Sequence, residues 1–226
     1  MRHSESNGSI ASTKNIDIAI QYFENLVNKS NSNKDIAIYL LKSYYYKAEF
    51  ATNDIEQKKE IFNKAKSLGN KYITKYIDSA EIRYWYLVNL GSWAKVYGIL
   101  TAAREGVADQ MKIHAEKIIE IDHQYQNGGG YFMLGAVHYK SPYIPWLLSW
   151  PDNNEAIKYL RLSHDTGKAT LNQKNYLAQA LHKAGNTIEA NKLIKEVINS
   201  TPDPKNLVEE LDDIKEAKQL LKDFIN

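Results

Sequence analysis

Few residues in this sequence have the type and spacing that catalysis requires. Asp165-Thr166-Gly167 spells the tripeptide of aspartic proteases. That chemistry needs two carboxylates sharing one proton on a strand–turn scaffold. Here the tripeptide occurs once, follows Ser163-His164 and closes a helical pattern, so it reads as a glycine-stopped helix. The six histidines (His3, His114, His123, His138, His164, His182) form no H-E-x-x-H or other short metal-ligand spacing. Asp122 and His123 are adjacent, and adjacent helical residues do not face each other. Gly128-Gly129-Gly130 follows no strand and precedes no Lys-Ser/Thr, so it is no phosphate cradle. A hinge or a close backbone approach to a ligand stays open beside a plain interhelix turn. With no cysteine there is no thiol nucleophile, zinc finger or disulfide framework. Glu209-Glu210 and Asp212-Asp213 read as a solvated cap face. The expectation is a protein without catalytic residues, cofactor or metal. An enzyme using His138 with a nearby carboxylate is the contrary case.

Aromatic residues carry more information. The chain has 16 Tyr and 4 Trp against 5 Phe, and rings with a polar edge suit surfaces that are part apolar and part wet. Tyr84-Trp85-Tyr86, Trp93 and Tyr97 ring one helical stretch, with Trp85, Asn89 and Trp93 at steps of four. Tyr143-Ile144-Pro145-Trp146 and Trp150-Pro151 sit in an apolar insertion, which must pack over its own repeat or over a cleft mouth.

These residues are carried by 226 residues of 25.9 kDa with a formal net charge of +2. That length suits one large domain or a regular array of small units. Near-neutral charge, with no lysine or arginine stripe beside the aromatics, argues against a nucleic-acid partner. No apolar run is long enough to span a bilayer. Residues 1–14 are polar and read as a flexible leader, behind which a processed signal and a lipid anchor could have stood.

Spacing of three and four dominates, so the fold class is all-α. Ile16, Ile20, Phe23 and Val27 make a first stripe, closed by the polar Lys29–Lys34 segment. Asp35 is placed to cap a second helix through the Tyr44–Tyr46 triplet. Asn53 or Asp54 opens a third, ending at Gly69-Asn70. A fourth starts near Ser79, and a fifth runs from about Val107 to Tyr125 before the triple glycine breaks it. Pairs this short cannot bury their faces alone, which directs attention to an internal period. Between Leu171 and Pro202, the residues Leu177-Ala178, Leu181, Gly185, Ala190, Ile194 and Val197 fit a tetratricopeptide repeat of about 34 residues. Ala178 and Ala190 allow close approach, and Gly185 makes the turn. Tyr131-x2-Leu134-Gly135-x2-His138 fits a second first helix, paired with Ala156-x3-Leu160 across a turn enlarged by about nine residues. Asn206–Ile225 carries acids early and lysines late and reads as a capping helix. The predicted architecture is a tetratricopeptide-like array of antiparallel helix pairs, an α-α superhelix forming a single helical-repeat domain over residues 15–226, closed by a C-terminal cap.

Several runs resemble the T component of tripartite ATP-independent periplasmic (TRAP) transporters. They are Ala80-Glu-Ile-Arg-Tyr-Trp85, Asn89-Leu-Gly-Ser-Trp93, Gly129-Gly-Tyr-Phe-Met-Leu-Gly135 with Tyr139 and Pro142, and Asn154-Glu-Ala156. Leu177-Ala178, Glu189-Ala190 and Glu216-Ala217-Lys218 continue the resemblance, which spans Ala80 to Leu221. Two departures are the missing lipobox cysteine and Asp122-His123 where that family has a helix-ending proline. The resemblance implies a bacterial periplasmic lipoprotein that associates with a solute-binding protein, self-associates and offers a cleft to a small apolar ligand. Together with the rule that first helices line the concave side of a repeat array, it gives Trp85, Asn89, Trp93, Tyr131, His138, Tyr139 and Trp146 as candidate ligand- or partner-binding residues. The alternative is a cytosolic tetratricopeptide protein–protein adaptor.

Overall fold

A computed structural model describes residues 5–29 and 33–224. His3 and the rest of residues 1–4, the centre of the polar Lys29–Lys34 segment and Ile225 lie outside the described residues. The described residues form eleven helices packed in consecutive pairs, an all-α helical-repeat array. By packing they fall into two compact units, Met1–Asp122 and His123–Asn226.

The first unit holds α1 (Thr13–Lys29), α2 (Lys34–Phe50), α3 (Ile55–Lys75), α4 (Ala80–Tyr97), the short α5 (Ile99–Arg104) and α6 (Val107–Asp122). Before α1, Ala11 is buried and its N–H donates to the Phe50 carbonyl. Asn33 caps α2, its side-chain oxygen accepting the Asp35 N–H at 2.8 Å. Asp35 is therefore in the first turn and not the cap. Asp54 and Ser79 cap α3 and α4 in the expected way. α3 does not stop at Gly69-Asn70 but continues to Lys75. Gly69 is there because a Cβ would run into the Tyr86 ring, which is wholly buried on α4. α6 likewise ends at Asp122, short of Tyr125.

One buried cation fastens α4 to its neighbours. Arg83 Nε and Nη2 donate to the Ile77 carbonyl at 3.2 and 2.6 Å, and Nη1 donates to His114 Nδ1 on α6 at 2.7 Å. Burial, with the Arg83 charge beside it, pushes His114 down to about 4. The ring is thus neutral and able to accept.

The second unit holds α7 (Tyr125–Lys140), α8 (Asn153–His164), α9 (Leu171–Lys183), α10 (Thr187–Ile198) and α11 (Leu207–Asp223). The break in the first turn of α7 is not the glycine triplet as such. Gln126, Asn127 and Gly128 take φ of 51°, 57° and 76°, a left-handed turn, while Gly129 and Gly130 belong to the buried start of the regular helix. Thr170 and Gln173 form a reciprocal capping box on α9. Gly185 turns the chain at φ 84° between α9 and α10. α11 packs on α9 and α10 through Val208, Ile214 and Ala217. Asp165 caps the end of α8, and Gly167 follows at φ 74°.

Gly135 marks the closest helix contact in this unit. A Cβ there would lie 2.6 Å from Leu160 Cγ and 3.0 Å from the Ala156 carbonyl oxygen and the Leu160 nitrogen. Two of those neighbours are backbone, so only separation of α7 and α8 would relieve them. Gly135→Ala is expected to cost about 1–3 kcal/mol despite the better helix propensity of alanine. Urea unfolding followed by circular dichroism checks this.

Candidate binding surface

Each unit presents a face built from the first helices of its pairs. In the first unit these are α2 and α4, which pack directly on one another. Their outward side chains form one cluster with Phe23 of α1. Phe23 stacks on Tyr39 at 5.6 Å, Tyr84 meets Trp85 edge-on at 5.5 Å, and Tyr45 lies tilted 6.3 Å from Trp85. The Lys42 ammonium sits 5.0 Å from the Trp85 ring and 5.5 Å from that of Tyr39. Lys95 and Glu49 close one end with a 2.7 Å ion pair between the two helices. The cluster is a lysine held over aromatic faces, which favours cation–π contact.

Trp85 belongs to both the core and this face. It packs on the cluster of Ala37, Ile38, Tyr72 and Ile82 while remaining half-buried, and its indole N–H is buried with no acceptor. Asn89 does not line a groove. It is fully buried and donates to the Leu41 carbonyl at 3.1 Å and the Trp85 carbonyl at 2.8 Å, stitching α4 onto α2. Trp93 is also buried: its N–H donates to Asn63 at 2.8 Å, Tyr97 stacks on it at 4.3 Å, and Lys66 lies 4.1 Å above the ring. The separation follows from helix geometry, since eight residues at 3.6 per turn leave Trp93 about 80° around α4 from Trp85. Tyr39, Lys42 and Tyr45 complete the face instead. Their i,i+3 spacing on α2 was a usable signal, but only the packing of α2 on α4 places them beside Trp85.

In the second unit the structure gathers Tyr139 with residues that spacing did not single out. Lys140 Nζ lies 4.9 Å from the Tyr139 ring and 5.1 Å from the Tyr176 ring, and donates to Gln179 at 3.1 Å. Lys183 lies 5.5 Å from Tyr139, and Phe132 meets Tyr176 edge-on at 5.2 Å. Burial, with Glu216 nearby, raises the Tyr139 phenol above its ordinary value. Tyr131 is half-buried eight residues earlier on α7. Trp146 is fully exposed on the α7–α8 turn.

His138 points to the packing between α7, α8 and the insertion. It is buried, edge-on to Trp150 at 4.9 Å and stacked on Tyr159 at 5.9 Å. Its Nδ1 accepts the backbone N–H of Asp152, the α8 cap, at 3.2 Å. Among the described residues no group of three or more His, Asp or Glu is placed to hold a metal ion.

A family model for regulator of microtubule dynamics protein 1-3 matches residues 4–149, more than half of the chain. The chain belongs to the regulator of microtubule dynamics protein 1-3 family. No curated protein matches it. Membership overturns the resemblance to the TRAP-transporter T component, and with it the solute-transport function and the periplasmic or membrane-anchored lipoprotein location. The reason is physical. Leu134-Gly135 and Ala178 with Ala190 recur because paired helices need small residues where they touch, a demand shared by unrelated helical-repeat families. The regulator of microtubule dynamics match covers the first unit from residue 4 on, with α7 and most of the turn after it.

Two outcomes follow from these contacts. His138→Ala should lower stability by roughly 2–4 kcal/mol, as for other buried rings cut to alanine, and calorimetry measures it. Asp213 on α11, hydrogen-bonded by Asn172 at 3.1 Å, is pushed up to about 7 by burial and by Glu216, Asp212 and Glu210. The folded state therefore holds this proton where the unfolded chain releases it, and stability falls as pH rises from about 4 towards 7. Asp213→Asn keeps an acceptor for Asn172 and removes that cost. Its melting temperature should exceed the wild type's at pH 8 and match it near pH 4.

Proposed function

We propose that this protein is a non-catalytic protein–protein adaptor that engages its partner through the α2–α4 face. The observation that carries this is Lys42 poised over Trp85 and Tyr39 on the outward side of two first helices. A surface of half-open ring faces suits a partner segment that offers apolar side chains. The second unit repeats the same chemistry with Lys140, Tyr139 and Tyr176. The packed state of His138 supports a non-catalytic role, since its Nδ1 is occupied by a backbone donor. The family name directs the choice of partner to the microtubule system.

Co-sedimentation with stabilised microtubules tests the proposal. The wild type is expected in the pellet, and Tyr39→Ala combined with Lys42→Glu should weaken binding roughly tenfold, the loss of one well-placed anchor. The variant gives up the Phe23–Tyr39 stack and the Lys42–Trp85 contact, so its melting temperature should fall by a few degrees with the fold retained at the assay temperature, which circular dichroism checks. A wild type that stays in the supernatant, or a double variant that pellets equally well, sinks the reading.

A further inference from the structure

The last helix of the second unit meets its neighbours through two kinds of surface. Val208, Ile214 and Ala217 are buried where α11 packs on α9 and α10. Beside this apolar strip, the seam with the first half of α9 is polar. Asn172 Nδ2 donates to the Asp213 carboxyl at 3.1 Å, and Asn175 Nδ2 donates to the Asp213 backbone carbonyl at 2.8 Å. Asn175 is wholly buried, and its Oδ1 has no donor among the described residues. Asp213 thus sits where neutral amides join the two helices.

The charges that act on Asp213 have its own sign. Glu209 and Glu210 lie a turn before it, Asp212 beside it and Glu216 a turn after it. Glu216, Asp212 and Glu210 oppose its ionisation. The surrounding helices do not offset this. On α9, Lys174 pairs with Glu196 of α10 at 3.3 Å, and Lys183 lies 5.5 Å from the Tyr139 ring. Tyr176 turns to Phe132 of α7, and His182 stacks on Phe224 at the far end of α11. On α10, Glu189 is held by Arg161 of α8, while Lys192 and Lys195 are exposed. Lys215 and Lys218 on α11 itself are exposed too. Among the described residues Asp213 forms no ion pair.

A partly buried carboxyl with a neutral donor and like-charged neighbours favours its protonated form, and Asp213 is pushed up to about 7. An aspartate released into water gives up its proton at about 4. Docking of α11 and proton uptake therefore strengthen each other. The sign is definite: docking weakens about tenfold per pH unit between about 4 and 7, and above that range the loss is complete. We propose that Asp213 is a proton-controlled latch, fixing α11 on α9 while its carboxyl is neutral and letting α11 open as a local unit once the carboxyl ionises. Opening frees the Asn172 and Asn175 amides and the apolar strip of α11. The helices α7 to α10 remain packed on one another through contacts that do not involve α11.

Hydrogen exchange of the full chain, read by mass spectrometry from about pH 5 to pH 8 and corrected for intrinsic rates, tests this. Amides of α11 are expected to be less protected than those of α9 and α10. Their protection should fall roughly ten- to a hundredfold between pH 5 and pH 7 and then level off. Asp213→Asn keeps an acceptor for Asn172 and should make α11 protection independent of pH. Glu216→Gln removes one like charge and should move the fall to lower pH. The proposal is overturned if α11 protection is constant over this range, or if it equals that of α9 and α10 at every pH. An equal fall in Asp213→Asn overturns it too, as does a Glu216→Gln midpoint at or above that of the wild type.

Discussion

Close approach of paired helices is the constraint on which the remaining structure depends. Helices of 12 to 18 residues, such as α4, α8 and α10, cannot bury an apolar face alone and must lie against neighbours at short range. Gly135 lets the α7 backbone meet Ala156 and Leu160, and Gly69 lets α3 meet Tyr86. Ala178 and Ala190 are wholly buried in the next pair. Once these contacts are made, the large side chains around them have little freedom. Trp93 is driven against Asn63 and Tyr97, Asn89 is buried against Leu41, and His138 is enclosed by Trp150 and Tyr159.

That competition divides the aromatic excess. Rings on the sides of α4 and α7 that face other helices become core, and the polar edges of Tyr86, Trp93 and His138 are tied to side chains or backbone. Those on the outward side of α2, α4, α7 and α9 remain partly open, and each open group holds a lysine over its rings. In both units a partly open aromatic face is what the core leaves behind. Trp146 escapes the competition altogether, because its turn is anchored by Leu148 and folds its own backbone donors inward.

Much of the fold was legible in the residues. Three- and four-residue spacing, helix starts at Asn53 or Asp54 and near Ser79, and Gly185 as a turn all act through local backbone chemistry, and the structure places the caps at Asp54 and Ser79 and the turn at Gly185. Gly69 was misleading because its signal is ambiguous: a helix stop and a close-packed helical contact both demand the absence of a Cβ. The glycine triplet failed differently, since the left-handed turn falls mainly on Gln126 and Asn127, of which only Asn127 is a residue type at home there. The family resemblance failed because packing demands shared by many helical repeats were read as the mark of one.

The candidate site was less legible still, as the cases of Asn89 and Tyr39 show. Asn89 was singled out by its step of four from Trp85, yet helix periodicity says which residues share a face, not what covers it. Tyr39 and Lys42 lie on a different helix from Trp85, and no spacing along the chain connects them. Sequence by itself determined the all-helical class, the pairing of helices and the isolation of an uncharged aromatic insertion, because each follows from local propensity and from apolar residues recurring with the helical period. Tertiary packing alone decided which aromatics are core and which are surface, since burial is a property of the neighbouring helix.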